Sequence, residues 1–175
     1  MCGPLKSWDS KTLLLDYLRQ NTPNVIVGCA VEAPRGYYSC SVGDVDLPLH
    51  VGVIVNQAKA PSILPLPIVQ RAILGYDQSF AVIDCRSASL QQVTQLDGVF
   101  FQFLRAEERQ QILALHELGV VAISEEGKEL WRYTTNDILE DWMIVDNNLI
   151  LTVMDSSSPV SLMLASGAST PDSSP

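Results

Sequence analysis

The feature that most constrains this chain is an internal repeat with a period near 40 residues. Displaced on itself by 40 positions, Ser79-Phe80-Ala81-Val82-Ile83-Asp84 lies over Gly119-Val120-Val121-Ala122-Ile123-Ser124. Leu90 then meets Leu130, Asp97 meets Asp137, Val99 meets Leu139 and Phe103 meets Met143. A third copy begins at once: Leu149–Val153 follows the pattern of Ile112–Leu115, and Val160–Met163 that of Val120–Ile123. Self-similarity at this period means one supersecondary unit used repeatedly, because a single unit cannot bury its apolar face alone. Proline points the same way. Seven of the ten prolines precede residue 68, and none lies between Arg71 and Ser158. That long stretch is free to form uninterrupted hydrogen-bonded ladders.

Each copy has one grammar. A strand such as Ala72–Tyr76 is followed by a polar turn and a second strand such as Phe80–Asp84. A turn comes next: Arg86-Ser87-Ala88, then Glu125-Glu126-Gly127, then Ser166-Gly167. A third strand follows (Leu90–Leu96, Glu129–Thr134), and a fourth (Val99–Leu104, Trp142–Val145). Four short antiparallel strands in about 40 residues is the layout of a propeller blade. Gly127-Lys128-Glu129-Leu130-Trp131-Arg132-Tyr133 resembles the turn and third strand of repeats in the pyrroloquinoline-quinone-type and WD-type β-propeller families, over residues 72–167. The resemblance implies blade-like sheets. No position matches a cofactor-binding residue of the quinone enzymes, so their chemistry is not carried over and no cofactor is expected. Two and a half blades fall short of the four that close a ring. The expectation is therefore a mainly β fold, an antiparallel meander of propeller-blade-like repeats. It would form a partial propeller or a sandwich, or two chains would complete each other through exposed edges.

Before the repeats, Asp9 to Gln20 carries Leu13, Leu14, Tyr17 and Leu18 at helical spacing, with Asp9 or Ser10 as N-cap and Asn21-Thr22-Pro23 as the stop. This is the one N-terminal helix expected. Strands are expected over Asn24–Val31, Gly36–Val42 and Leu49–Asn56, with a turn at Ala33-Pro34-Arg35-Gly36. The organisation read from these signals is 1–23 with the helix, 24–70 as strands and a proline-rich connection, 71–165 as the repeat-bearing domain, and 166–175 as a frayed tail.

Charge narrows the function classes. Eleven Lys/Arg face 20 Asp/Glu, a net charge of −9, and all of it lies after Gln70. Such a balance argues against nucleic acid or an anionic membrane as partner, because both need cations. No apolar run approaches a membrane span. The opening Met1-Cys2-Gly3-Pro4-Leu5-Lys6-Ser7-Trp8 lacks a signal-peptide layout, so a cytoplasmic location is expected.

Recognisable catalytic spacing is scarce. Cys2, Cys29, Cys40 and Cys85 form no Cys-x-x-Cys pair and, with His50 and His116 as the only histidines, suggest buried thiols and no metal site. A Cys29–Cys40 hairpin bridge stays open. A nucleophilic arrangement can be drawn from Cys40, His50 and Asp46, with Asp44 nearby. His116 reads as a hairpin-turn residue, exposed or hydrogen-bonded. Eight carboxylates between Glu125 and Asp155 face only Lys128 and Arg132. They read as a solvated face, as a surface that steers a basic partner, or as the paired carboxylates of a hydrolase. Trp131, Tyr133 and Trp142 stand within this stretch, beside Asp137, Glu140 and Asp141. Aromatic residues rimmed by acids have the composition of an interface hot spot.

Two functions follow. One is a non-catalytic protein-interaction module, such as an inhibitor or immunity-type protein, binding a basic partner through Trp131, Tyr133, Asp137, Glu140, Asp141 and Trp142. The other is a small hydrolase-like enzyme with its site near His50, Asp44 and Asp46 or the 137–141 carboxylates.

Overall fold

The structure is a computed structural model that describes residues 2–28 and 34–169. It is mainly β, with a single α-helix among the described residues, and it divides into two compact units, Met1–Gln95 and Leu96–Pro175.

The first unit opens with β1 (Lys6–Trp8), α1 (Lys11–Gln20), β2 (Asn24–Gly28), β3 (Gly36–Gly43) and β4 (Pro48–Val55). These strands form a sheet in the order β1-β3-β4-β2, in which β2 runs parallel to β4 and the other pairs are antiparallel. The helix begins where the sequence places it, because the Ser10 hydroxyl accepts the Leu13 N–H and satisfies one orphan donor of the first turn. Leu14 and Leu18 bury against Ile54, while Leu13 points to solvent, so the docking stripe is narrower than the leucine pattern suggests.

A second sheet follows in sequential order: β5 (Ser62–Leu66), β6 (Arg71–Tyr76), β7 (Ser79–Asp84) and β8 (Ser89–Gln95). Pro65 is tolerated because β5 is an edge strand. Alternate residues of β3 and β4 (Cys40, Val42, Leu49, Val51, Val53, Val55) meet Ala72, Leu74, Ala81 and Ile83 in one core. The two sheets of this unit therefore pack face to face.

The second unit repeats the plan. β9 (Phe100–Ala106), β10 (Gln111–His116), β11 (Gly119–Ser124) and β12 (Glu129–Thr134) form a four-stranded antiparallel sheet. β13 (Leu139–Val145), β14 (Asn148–Val153) and β15 (Val160–Met163) form a three-stranded one. Leu113, Leu115, Val120 and Ala122 of the first share a core with Leu149, Leu151, Val153 and Leu162 of the second. Gly119 closes the β10–β11 hairpin at φ +143°, and a Cβ there would collide with the Tyr133 carbonyl oxygen.

The repeat is real, but its phase differs from the sequence reading. β7, β11 and β15 hold equivalent places, and Val82, Ile83, Val121, Ile123, Leu151 and Val153 are all buried as expected. The strands read as the fourth of each copy, Val99–Leu104 and Trp142–Val145, instead open the next sheet, pairing with β10 and β14. A period reports how far apart equivalent strands lie, not which neighbour each one bonds. The strand expected over Asn24–Val31 is described as far as Gly28. Cys29 with its suggested bridge, Ala33 of the expected turn, and 170–175 of the expected tail lie outside the described residues.

Candidate functional site

The strand β13 reads Leu139-Glu140-Asp141-Trp142-Met143-Ile144-Val145. Its aromatic and β-branched residues suit a pleated strand, and Asp146-Asn147 turns it back onto β14. Asp146 takes the left-handed conformation (φ 52°) that such a short hairpin requires. Register then follows: Val145 faces Asn148, Ile144 faces Leu149, Met143 faces Ile150 and Trp142 faces Leu151.

Because, among the described residues, β13 bonds only β14, its other side is a sheet edge. In a two-residue hairpin the residues flanking the loop exchange both hydrogen bonds, and alternation then turns the backbone groups of Ile144 and Trp142 outward. The Trp142 N–H is met by Asp141 Oδ1 at 2.8 Å. Met143, Ile144 and Val145 are exposed at 54%, 38% and 46%. Met143 and Val145 share the outward face with Ile150 and Met163, since the core face takes Leu149, Leu151 and Leu162. Carboxylates stand at both ends of this apolar run: Glu140 and Asp141 before it, Asp146 after it, all exposed.

The other residues singled out in the sequence are distributed around this strand. Trp131 and Tyr133 lie on β12, half-buried against the core of the second unit. Trp131 donates its Nε1–H to the Leu164 carbonyl at 2.9 Å, and a Cβ on Gly167 (φ +67°) would meet its ring at 2.5 Å. That ring is an anchor for the chain segment after β15. Trp142 packs on the same core, its ring stacked on Phe101 with centroids 5.8 Å apart. Tyr133, Asp137 and Asp155 line a cleft of ≈ 340 Å³ that Glu140 and Asp141 do not reach. Asp137 Oδ1 accepts the Ile138 N–H at 2.7 Å, so it, like Asp141, is bonded to the next residue's amide.

Asp97 was not singled out, although it accepts from the Thr134 hydroxyl (3.0 Å) and from Arg132 (3.3 Å). These bonds, the hydroxyl first, hold its carboxyl below the usual range. Arg132 also forks onto Glu129, so one of the two cations in the acidic stretch is already occupied. The apolar run Met143-Ile144-Val145 shows in the sequence as three consecutive apolar residues without charge or proline, next to a hairpin turn.

The drawn Cys40–His50–Asp46 arrangement is not assembled. Cys40 points into the core between the two sheets of the first unit, whereas His50 stands one position out of phase with Leu49 and Val51 and so occupies the opposite face of β4. There its Nδ1 is paired with the Tyr17 hydroxyl at 2.9 Å. Burial, with a smaller contribution from Cys2, pushes the Cys40 thiol up to about 12, far from a reactive thiolate. Asp44 Oδ1 accepts the Asp46 N–H, and Asp44 lines a separate cavity of ≈ 480 Å³ with Arg71, Cys85 and Arg86.

His116 also departs from expectation. It ends β10 at a register shift between Leu115 and His116, its exposure is 0%, and neither ring nitrogen has a hydrogen-bond partner among the described residues. Burial pushes its pKa down to about 4. Among the described residues no three His, Cys, Asp or Glu side chains converge as metal ligands.

No protein-family model and no curated protein sequence matches this chain. Solved structures do match. The dihydro-heme d1 dehydrogenase NirN, in complex with DHE, aligns with a TM-score of 0.54 at 13% identity, over 79% of this chain and 33% of its own. AztD from Citrobacter koseri aligns with a TM-score of 0.47 at 17% identity, over 85% of this chain and 45% of its own. BamB from Moraxella catarrhalis gives 0.44 at 15% identity, over 58% and 33%. All three are β-propeller-type proteins, and the likeness to NirN is one of fold. The chain spans a third of the length of NirN and BamB and less than half of AztD.

Proposed function

We propose that this chain is a non-catalytic protein-interaction module that binds a basic protein, in the manner of an inhibitor or immunity-type protein. The division of charge carries this reading. Leu96–Pro175 has four Lys/Arg against 13 Asp/Glu and holds the whole net −9, while Met1–Gln95 has seven of each. A surface of one sign raises the encounter rate with a partner of the other. The exposed carboxylates of Glu140, Asp141 and Asp146 supply this field at the β13 edge. Trp142 and Tyr133, with Asp137 beside the cleft and Trp131 supporting β12, complete the contact surface in this reading.

Catalysis is the poorer reading of the same residues. Asp137 and Asp141 bond to neighbouring backbone amides, and the Cys40 thiol and the His50 ring are on opposite faces of their sheet. With so few cations in the second unit, nucleic acid and anionic lipid are disfavoured as partners. Among the described residues no helix is long and apolar enough to cross a membrane.

The test is kinetic. A partner captured from the host on the immobilised full chain is purified, and its association is followed as salt rises. The on-rate is expected to fall as the Debye length shrinks from ~10 Å at 0.1 M to ~3 Å at 1 M. Glu140→Lys with Asp141→Lys is expected to lower the on-rate and leave the off-rate nearly unchanged. An on-rate indifferent to both treatments would remove the steering role.

A further inference from the structure

We propose that the free edge of β13 binds an extended segment of its partner by strand addition, and that this segment is apolar in the middle and basic at both ends. The proposal rests on the reading above that the partner is basic, and adds where and in what conformation it binds.

Sheet edges are templates for another strand, and most edges in this molecule are blunted. β5 carries Pro65, β1 carries Lys6, and β8 is the polar Ser89-Leu90-Gln91-Gln92-Val93-Thr94-Gln95. β12 carries Glu129 bonded to Arg132. β15 is met by the returning chain: the Met163 N–H donates to the Ala168 carbonyl at 2.9 Å, and Leu162 bridges Ser169. β9 keeps Phe100 buried and Phe101, Phe103 and Leu104 half-buried, and β2 exposes one apolar side chain, Ile26. Among the described edge strands, β13 alone presents three consecutive exposed apolar residues with neither charge nor proline among them.

An added strand would pair with the outward backbone groups of Ile144 and the Trp142 carbonyl. Its alternate side chains would extend the apolar face of Met143, Val145, Ile150 and Met163. The carboxylates fix the occupant. Asp141 precedes the apolar run within β13 and Asp146 begins the turn just past its end at Val145, so the strand between the two acids extends roughly 13 Å at the usual rise. A matching segment therefore carries Lys or Arg at two positions about that far apart, with apolar residues between. A second copy of this chain fits poorly. Antiparallel pairing of β13 with itself sets the Glu140-Asp141 end of one copy beside the Asp146 end of the other, adding local repulsion to that between two bodies of charge −9.

The experiment uses the full chain and a labelled, blocked peptide with lysines at both ends of a valine and threonine run, followed by fluorescence anisotropy. Binding that weakens with salt is expected. N-methylation of alternate peptide amides is expected to cost about tenfold or more in affinity, because it removes strand hydrogen bonds while keeping charge. This comparison needs no change in the protein. Val145→Lys, on the solvent face, is expected to weaken the parent peptide by a similar factor. Equal affinity of the parent and N-methylated peptides would overturn strand addition while leaving charge steering intact. A parent peptide that fails to bind, while the captured basic partner keeps its salt-dependent on-rate, would overturn this site alone. Loss of salt dependence for the captured partner would overturn the underlying reading. At neutral pH, a dimer of the free chain with β13 amides protected from exchange would assign the edge to a second copy and overturn the proposal.

Discussion

A buried imidazole with two unpartnered nitrogens, as at His116, is held neutral by the cost of placing charge where nothing solvates it. The linkage runs in one direction. In the unfolded chain the ring takes up its proton near 6.5; in the folded chain it resists down to about 4. Its contribution is therefore fully present above 6.5 and lost as pH falls toward 4, by up to about 3 kcal/mol. His116→Leu is expected to flatten that part of the stability curve, measured as urea midpoints at stepped pH. An unchanged slope would show that the ring titrates normally. Val121 gives the complementary case. It is fully buried on β11, so Val121→Asp is expected to cost several kcal/mol through an unpaired buried charge, read from the melting temperature.

Elements differ in how much of their making is local. The helix is local: Ser10 caps it, Leu14 and Leu18 dock it, and the Pro23 region ends it. Ser10→Ala is expected to cost ~1 kcal/mol, seen as a lower urea midpoint with an unchanged slope. The strands after Gln70 are also legible one by one, because β6, β7, β10 and β11 are apolar runs buried on both faces, whereas β1 and the proline-bearing β5 carry no such signal. Their grouping into sheets is less so. Four residues separate β8 from β9 and four separate β9 from β10, so loop length does not say which neighbour β9 joins. Two-residue turns at Asp77-Gln78, Glu117-Leu118 and Asp146-Asn147 do fix their pairings, joining β6 to β7, β10 to β11 and β13 to β14.

For the whole molecule, charge governs association. At neutral pH the net −9 opposes association of copies. Near the isoelectric pH of about 4.5 that repulsion vanishes while the apolar edge of β13 stays exposed. Sedimentation is expected to show self-association growing toward that pH, and Ile144→Lys is expected to suppress it. Association that Ile144→Lys leaves untouched would point to another surface.

Composition, period and proline placement determined that this chain builds repeated antiparallel strands after one short helix, since these depend on backbone chemistry and apolar spacing within a few residues. Its acidity, and where along the chain that acidity lies, could be counted directly. Burial and pairing could not, because they depend on which strand lies across the sheet and which face meets a core. The tertiary structure alone put Cys40 and His50 on opposite faces, buried the His116 ring without a hydrogen bond among the described residues, tied Arg132 to Asp97, and used Trp131 to anchor the segment after β15. It also left Met143, Ile144 and Val145 on an open edge, because among the described residues β13 has a strand on one side only.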